Sequence, residues 1–277
     1  MKKYLKLVNF ELNRVTKLYV VLLAITFVIQ MIGLIVSTKR YLNLANESIY
    51  GEMMSQTEFL ETYGQYSILQ FIRSSWFFGP IALCIAAIGF YIFLIWYRDW
   101  VGKNTFVYRL LMLPTSRLNI FFAKITTILL LVFGLVAFQH ILLLIENLVM
   151  KARIPEEFRV DLGIVSIIQS LPELSIIIPT SLIELVLYYG AGLMAVSVLF
   201  TAILMERSFK LKGILLGILY CAAAVIVLLA PLLLHEFVLD GFFYPIELLI
   251  LEIIMGLIIL GVSIWMSRFL LIRKITV

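Results

Sequence analysis

The chain has 277 residues, of which 63% are hydrophobic and only 14% charged, with a mean hydropathy of +1.08. A soluble domain is nearer half apolar and a quarter charged, so a water-soluble enzyme or binding module is excluded and lipid is the expected solvent for most of the chain. The net charge of +5 and pI of about 9.1 fit a membrane protein with cations on one surface and carry no implication of nucleic-acid binding. Cys84 and Cys221, the only cysteines, lie inside apolar runs, which argues against a disulfide or a thiolate metal site.

The chain opens on MKKYLKLVNFELNRVTKLY. Leu5, Val8, Leu12 and Val15 recur at three- and four-residue steps, with Lys2, Lys3, Lys6, Arg14 and Lys17 around them. That pattern predicts an amphipathic helix over 1–17 lying in the membrane interface, its cations near anionic headgroups. The apolar run that follows, Leu18 to Val36, is 19 uncharged residues with no small-residue cleavage motif before Lys39-Arg40. It reads as a retained span and not as a signal peptide.

Requiring about 20 mostly apolar residues per span gives six, at 18–37, 74–97, 119–146, 178–205, 213–234 and 246–267. The expected fold is therefore an all-α polytopic membrane protein with one membrane domain over 1–277. Gly79-Pro80, Pro179, Gly190, Gly192 and Pro231 fall within these spans, where neighbouring helices satisfy the freed backbone groups. Outer connections are expected at 38–73, where Glu52 to Arg73 has room for a surface helix, and at 147–177, where Ile164–Ile168 and Leu171-Pro172 suggest a short apolar turn. No internal repeat or low-complexity linker is evident.

Sixteen Lys and Arg residues fall on one side of these spans and six on the other, the six being Lys39, Arg40, Arg73, Lys151, Arg153 and Arg159. The positive-inside rule counts these residues, so both termini are expected in the cytoplasm of a multi-pass cell-membrane protein. Only Glu11, Asp99 and Glu206 are acidic on the basic side.

The richest connection is Arg98–Lys124, RDWVGKNTFVYRLLMLPTSRLNIFFAK. Asn104 or Thr105 would cap a short helix through Phe106, Tyr108, Leu110, Leu111 and Leu113, which Pro114 interrupts. Thr115 or Ser116 would then cap the third span, with Arg117 and Lys124 anchoring its entry at the headgroups. Physically this is either a helix that packs into a groove on a cytosolic partner or an ordinary loop with a helix-start signal.

The run Arg109-Leu110-Leu111-Met112-Leu113-Pro114-Thr115-Ser116-Arg117, followed by Ala123-Lys124, resembles the first cytoplasmic loop of ABC-2 type transporter permeases. Asp99 would stand for that family's acidic residue, usually Glu, and Gly102 with Thr105 for its Gly-Thr step, here split by Lys103-Asn104. The six spans, cytoplasmic termini and basic N-terminal helix fit the same family layout. The resemblance implies that segment 98–118 couples this chain to a separate ATP-binding cassette ATPase through Asp99, Gly102, Thr105, Tyr108, Arg109, Leu110, Leu111, Leu113, Pro114, Ser116 and Arg117. It also implies a second permease subunit, in a homo- or heterodimer. ATP and magnesium would be bound by the ATPase, because Gly102-Lys103-Asn104 lacks the upstream glycine and following hydroxyl of a phosphate loop.

Gln139, His140, Glu146, Glu184, Glu247 and Glu252 lie within or beside spans, where a carboxylate at the bilayer centre costs about 2.5–3.5 kcal/mol. His140, Glu184 and Glu252 are either pathway residues for a cationic or amphipathic peptide, drug or lipid-like substrate, or groups facing the interface. Glu146 and Glu247 read as interfacial. Two histidines are too few for a multi-His metal centre. Glu156-Glu157 lies two positions too close to Arg159 for a CAAX-type protease motif and falls in an outer connection. No G-x-S-x-G elbow is present, and no catalytic residue is expected. The competing reading is a membrane sensor or immunity protein that binds an antimicrobial peptide or lipid without transport.

Overall fold

The computed structural model describes residues 2–100, 106–112, 114–238 and 241–275. Its helices, in order, are α1 (Lys2–Asn46), α2 (Gln56–Tyr63), α3 (Ile68–Ile72), α4 (Ser75–Trp100), α5 (Phe106–Leu111), α6 (Leu118–Arg153), α7 (Ile164–Gln169), α8 (Pro172–Ile177), α9 (Leu182–Phe209), α10 (Leu211–Phe237) and α11 (Pro245–Phe269). Six of these are long and apolar enough to cross a membrane, namely α1, α4, α6, α9, α10 and α11. No strand forms among the described residues; the one β-type pairing is an isolated parallel bridge between Tyr66 and Arg159.

Four features differ from the sequence expectation. The segment 1–17 is not a separate interface helix but the start of α1, because no glycine or proline interrupts the chain before Gly33. At a rise of 1.5 Å per residue α1 is about 67 Å long, more than twice a hydrocarbon core of roughly 30 Å. The connection expected from residue 38 thus begins only after Asn46, where a π-helical turn spans Glu47–Gly51. The surface helix expected within 52–73 is two helices, α2 and α3, separated where Gly64 adopts φ +72°, a conformation costly for other residues. The fourth span starts at Leu182 and leaves Pro179 outside it, with Ser181 accepting from the Glu184 amide as N-cap.

The chain divides into two compact units, to both of which α1, α4 and α6 contribute. Unit 1 comprises Met1–Arg14, Ile88–Leu130 and Ser181–Val277. Here Thr201 of α9 donates to the Ser263 carbonyl of α11 at 3.1 Å and lies 2.9 Å from the Ser267 hydroxyl, while Tyr220 of α10 bonds Ser263 Oγ at 2.6 Å. Such interhelical hydrogen bonds and close small-residue contacts are what orient helices where lipid offers no hydrophobic drive. Gly213 supplies the closest approach: a Cβ there would lie 2.7 Å from the Glu206 Cα. Trp96, Phe121 and Phe200 form an aromatic trio between α4, α6 and α9.

Unit 2 comprises Val15–Ala87 and Leu131–Thr180. Its core gathers Leu34 and Tyr41 of α1, Phe59 of α2, Phe71 of α3, Leu143 and Met150 of α6, and Ile167 and Leu174 of α7 and α8. Tyr41 donates to the Gly64 carbonyl and Tyr66 bonds Ser37, so the buried phenols are paired. Gln30 donates to the Phe77 carbonyl and to Gln139 Oε1. Arg159 closes the end of α6 by donating to the carbonyls of Lys151 and Ile154, both at 2.8 Å, and its Nε reaches Asp161 at 3.0 Å.

Two outcomes follow. Gly213→Ala should destabilise the protein by about 1–3 kcal/mol through overpacking, read as a lower midpoint in denaturant titration, whereas Gly261→Ala, with nothing near its Cβ position, should not. The Arg159 hydrogen bond holds the Asp161 carboxyl below its ordinary value, so its contribution is present above the unfolded-state pKa and is lost as pH falls through the depressed folded one. Exchange protection of the Val160 amide, which donates to the Tyr66 carbonyl, should therefore drop at acid pH, and Asp161→Asn should flatten that dependence.

Candidate functional site

The short helix α5 sits between the ends of α4 and α6 and belongs wholly to unit 1. Leu110 and Leu111 are buried, at 4% and 7% exposure, whereas Tyr108, Arg109 and Met112 are exposed. The leucines expected to offer a docking surface therefore hold α5 down instead, as an amphipathic helix buries its apolar stripe. Among the described side chains of this stretch, Tyr108, Arg109 and Met112 put one aromatic, one cationic and one thioether group outward. Pro114 and Ser116 are also exposed. Gly102, Thr105 and Leu113, together with the expected caps Asn104 and Thr105, lie outside the described residues.

Aromatic and cation–π contacts fasten α5. Phe106 stacks on Phe10 of α1 with centroids 5.6 Å apart, and Tyr108 meets Trp100 of α4 edge-on at 6.4 Å. The Arg14 guanidinium lies over both Phe10 and Phe106, at 5.1 and 5.3 Å, within range of the ring quadrupoles. Beyond α5, Lys3 donates to the Pro114 carbonyl at 3.1 Å.

Arg14 leads into a buried ion cluster. Lys124 of α6 is fully buried and donates to Glu11 Oε1 at 2.8 Å, Asp99 Oδ2 at 2.5 Å and the Ile95 carbonyl at 2.7 Å. An ammonium has three donors, and all three are used. The other oxygens of the two acids take one arginine each: Arg98 Nη2 to Glu11 Oε2 at 2.8 Å and Arg14 Nη1 to Asp99 Oδ1 at 2.7 Å. The Trp96 ring lies 5.0 Å from the ammonium. Three cations and two anions thus join α1, α4 and α6 in one polar knot.

The knot corrects several expectations. Lys124 is no headgroup anchor; it is the centre of the cluster. Asp99 has no exposed surface and cannot itself contact a partner. Arg117 donates to the carbonyls of Leu271 and Ile275, at 2.7 and 2.8 Å, capping the π-helical turn Leu270–Lys274 that ends α11 rather than reaching for headgroups. The buried stripe of the first segment is Leu7, Val8, Glu11 and Val15, with Leu5 59% exposed. The helix is rotated from the purely apolar reading because Glu11 is drawn inside by Lys124 and Arg98. The signal was present: Glu11 sits three residues after Val8 and four before Val15, in a segment otherwise basic. Glu206, the third acid of the basic side, accepts from Tyr97, and Arg207 lies 4.5 Å over the Tyr97 ring.

The expected pathway residues fall in both units. His140 belongs to unit 2, and Glu184 and Glu252 to unit 1; all three are half-buried. Glu184 lies in the first turn of α9, where its charge complements the helix dipole. Glu146, read as interfacial, is fully buried in unit 2. An open groove of about 330 Å³ lined by Ile29, Ser75, Trp76, Gly79, Pro80 and Leu83 is nearly all apolar and carries no convergent polar groups. Among the described residues no cluster of three or more His, Cys, Asp or Glu is placed to hold a metal ion.

Replacing Lys124 by Met leaves one oxygen of each buried carboxylate without its partner, the other still held by an arginine, and should cost about 3–5 kcal/mol, measured as loss of thermal stability in detergent. Adding Glu11→Gln and Asp99→Asn to Lys124→Met should recover much of that loss. No known family model matches this chain, and neither does any characterised protein or solved structure.

Proposed function

We propose that this protein is the transmembrane permease subunit of an ABC-2 type, ATP-driven exporter. The observation that carries the reading is α5: a short helix between two long apolar ones, bolted to α1 and α4 through buried and aromatic residues, yet presenting Tyr108, Arg109 and Met112 outward. A helix fixed in this way transmits displacement instead of absorbing it. Force applied to its exposed face passes through Phe106 and Arg14 to α1, and through Trp100 to α4. The ion cluster of Glu11, Asp99 and Lys124 then ties both to α6.

In this reading α5 is received by an ATP-binding cassette ATPase, which binds ATP and magnesium. A second permease completes the pathway. The asymmetry of sixteen basic residues against six supports cytoplasmic termini and a cytoplasmic α5 in the cell membrane.

The test is co-purification with candidate ATPase subunits, beginning with those encoded beside this reading frame. Arg109→Glu combined with Met112→Asp should lower ATPase recovery at least tenfold while thermal stability stays within error, since both side chains are exposed. Undiminished recovery would falsify the docking role of α5. Full activity in cells lacking any partner ATPase would instead support the sensor or immunity reading.

A further inference from the structure

Glu146 is the one carboxylate of α6 and has no exposed surface, and neither of its oxygens has a hydrogen-bond partner. Leu143 and Met150 share its helix face at steps of three and four residues, and both belong to the unit 2 core. The stripe therefore turns Glu146 into that core and away from the headgroups. A bare carboxylate without a counter-ion in such a setting costs several kcal/mol after relaxation, and proteins escape that cost by neutralising the group.

The groups able to neutralise it as a salt bridge are engaged or turned away. On α6, Lys151 pairs with Asp161 at 3.5 Å, Arg153 is exposed, and His140, its Nδ1 unpartnered, stands six positions before Glu146 and so on a different face of the helix. On the other elements of this core, Lys39, Arg40, Glu58, Glu61, Arg73 and Glu173 are all exposed. The core phenols are committed elsewhere, Tyr41 to the Gly64 carbonyl and Tyr66 to Ser37.

We propose that Glu146 is a proton-binding site: a carboxylic acid held in its neutral, protonated form inside unit 2 of the folded protein. The ligand is a single proton on a carboxylate oxygen. It is taken up as the chain folds and is released by any step that admits water to this face of α6. The site rests on burial within unit 2 and not on the exporter reading, so the two stand or fall separately.

Infrared spectroscopy of the purified full-length protein in lipid nanodiscs tests it directly. At neutral pH the exposed carboxylates are ionised, so a protonated carboxyl C=O band should appear in the wild type and vanish in Glu146→Gln. A wild-type protein without the band overturns the proposal whatever the variant does. A band that persists in the variant overturns it equally.

Discussion

Lys124 is the point on which unit 1 depends. Its ammonium reaches three acceptors on two other helices, Glu11 of α1 and both Asp99 and the Ile95 carbonyl of α4. A buried charge tolerates no substitute arrangement: each unmet donor or orphaned carboxylate costs more than the contact gains. The register of α1, α4 and α6 is thereby specified at one level. Contacts between apolar side chains specify it poorly, since a leucine facing lipid and a leucine facing leucine differ little in free energy. The two arginines complete the acids and extend the same constraint outward, through Arg14, to the short helix α5.

Elsewhere the same economy of polar contacts recurs. Within unit 1, Thr201, Tyr220, Ser263 and Ser267 place α9, α10 and α11. Within unit 2, Gln30 and Gln139 form a buried amide pair, and Thr26 bonds Cys84. These few residues in long apolar helices are where the packing is chosen; the intervening leucines and isoleucines fill space. The connecting segments of unit 2 follow water-soluble rules instead, with an aromatic core of Tyr41, Phe59 and Tyr66 and an arginine closing the end of α6.

Much of the architecture is legible in the chain because hydropathy reports lipid exposure directly. All six long helices fall where apolar runs of about 20 residues occur. Helix ends are less legible: α1 and α6 continue past their apolar runs because nothing in the sequence stops them, and helix propensity does not require lipid. The site was legible in place but not in orientation. A pattern of Leu5, Val8, Leu12 and Val15 marks an amphipathic segment, yet which face turns inward was decided by Glu11, whose partner Lys124 lies 113 positions away. Likewise Leu110 and Leu111 mark α5 as amphipathic, but sequence periodicity does not say whether that stripe faces a partner chain or its own unit. Glu146 was read as interfacial for the same reason: the unit 2 core that buries it draws on α1 to α3 and on α7 and α8 as well as on α6.

The junction of α9 and α10 has a mechanical meaning. The two helices are joined by Lys210 alone, in a left-handed backbone conformation with φ +55°, and Gly213 brings α10 against the backbone of Met205 and Glu206 just before that bend. A link of one residue offers no slack, and a backbone-to-backbone contact offers no side chain to re-pack. The pair is a prefabricated hairpin: its two arms cannot slide past one another or splay at the bend, so any rearrangement of unit 1 must carry them together as a single lever.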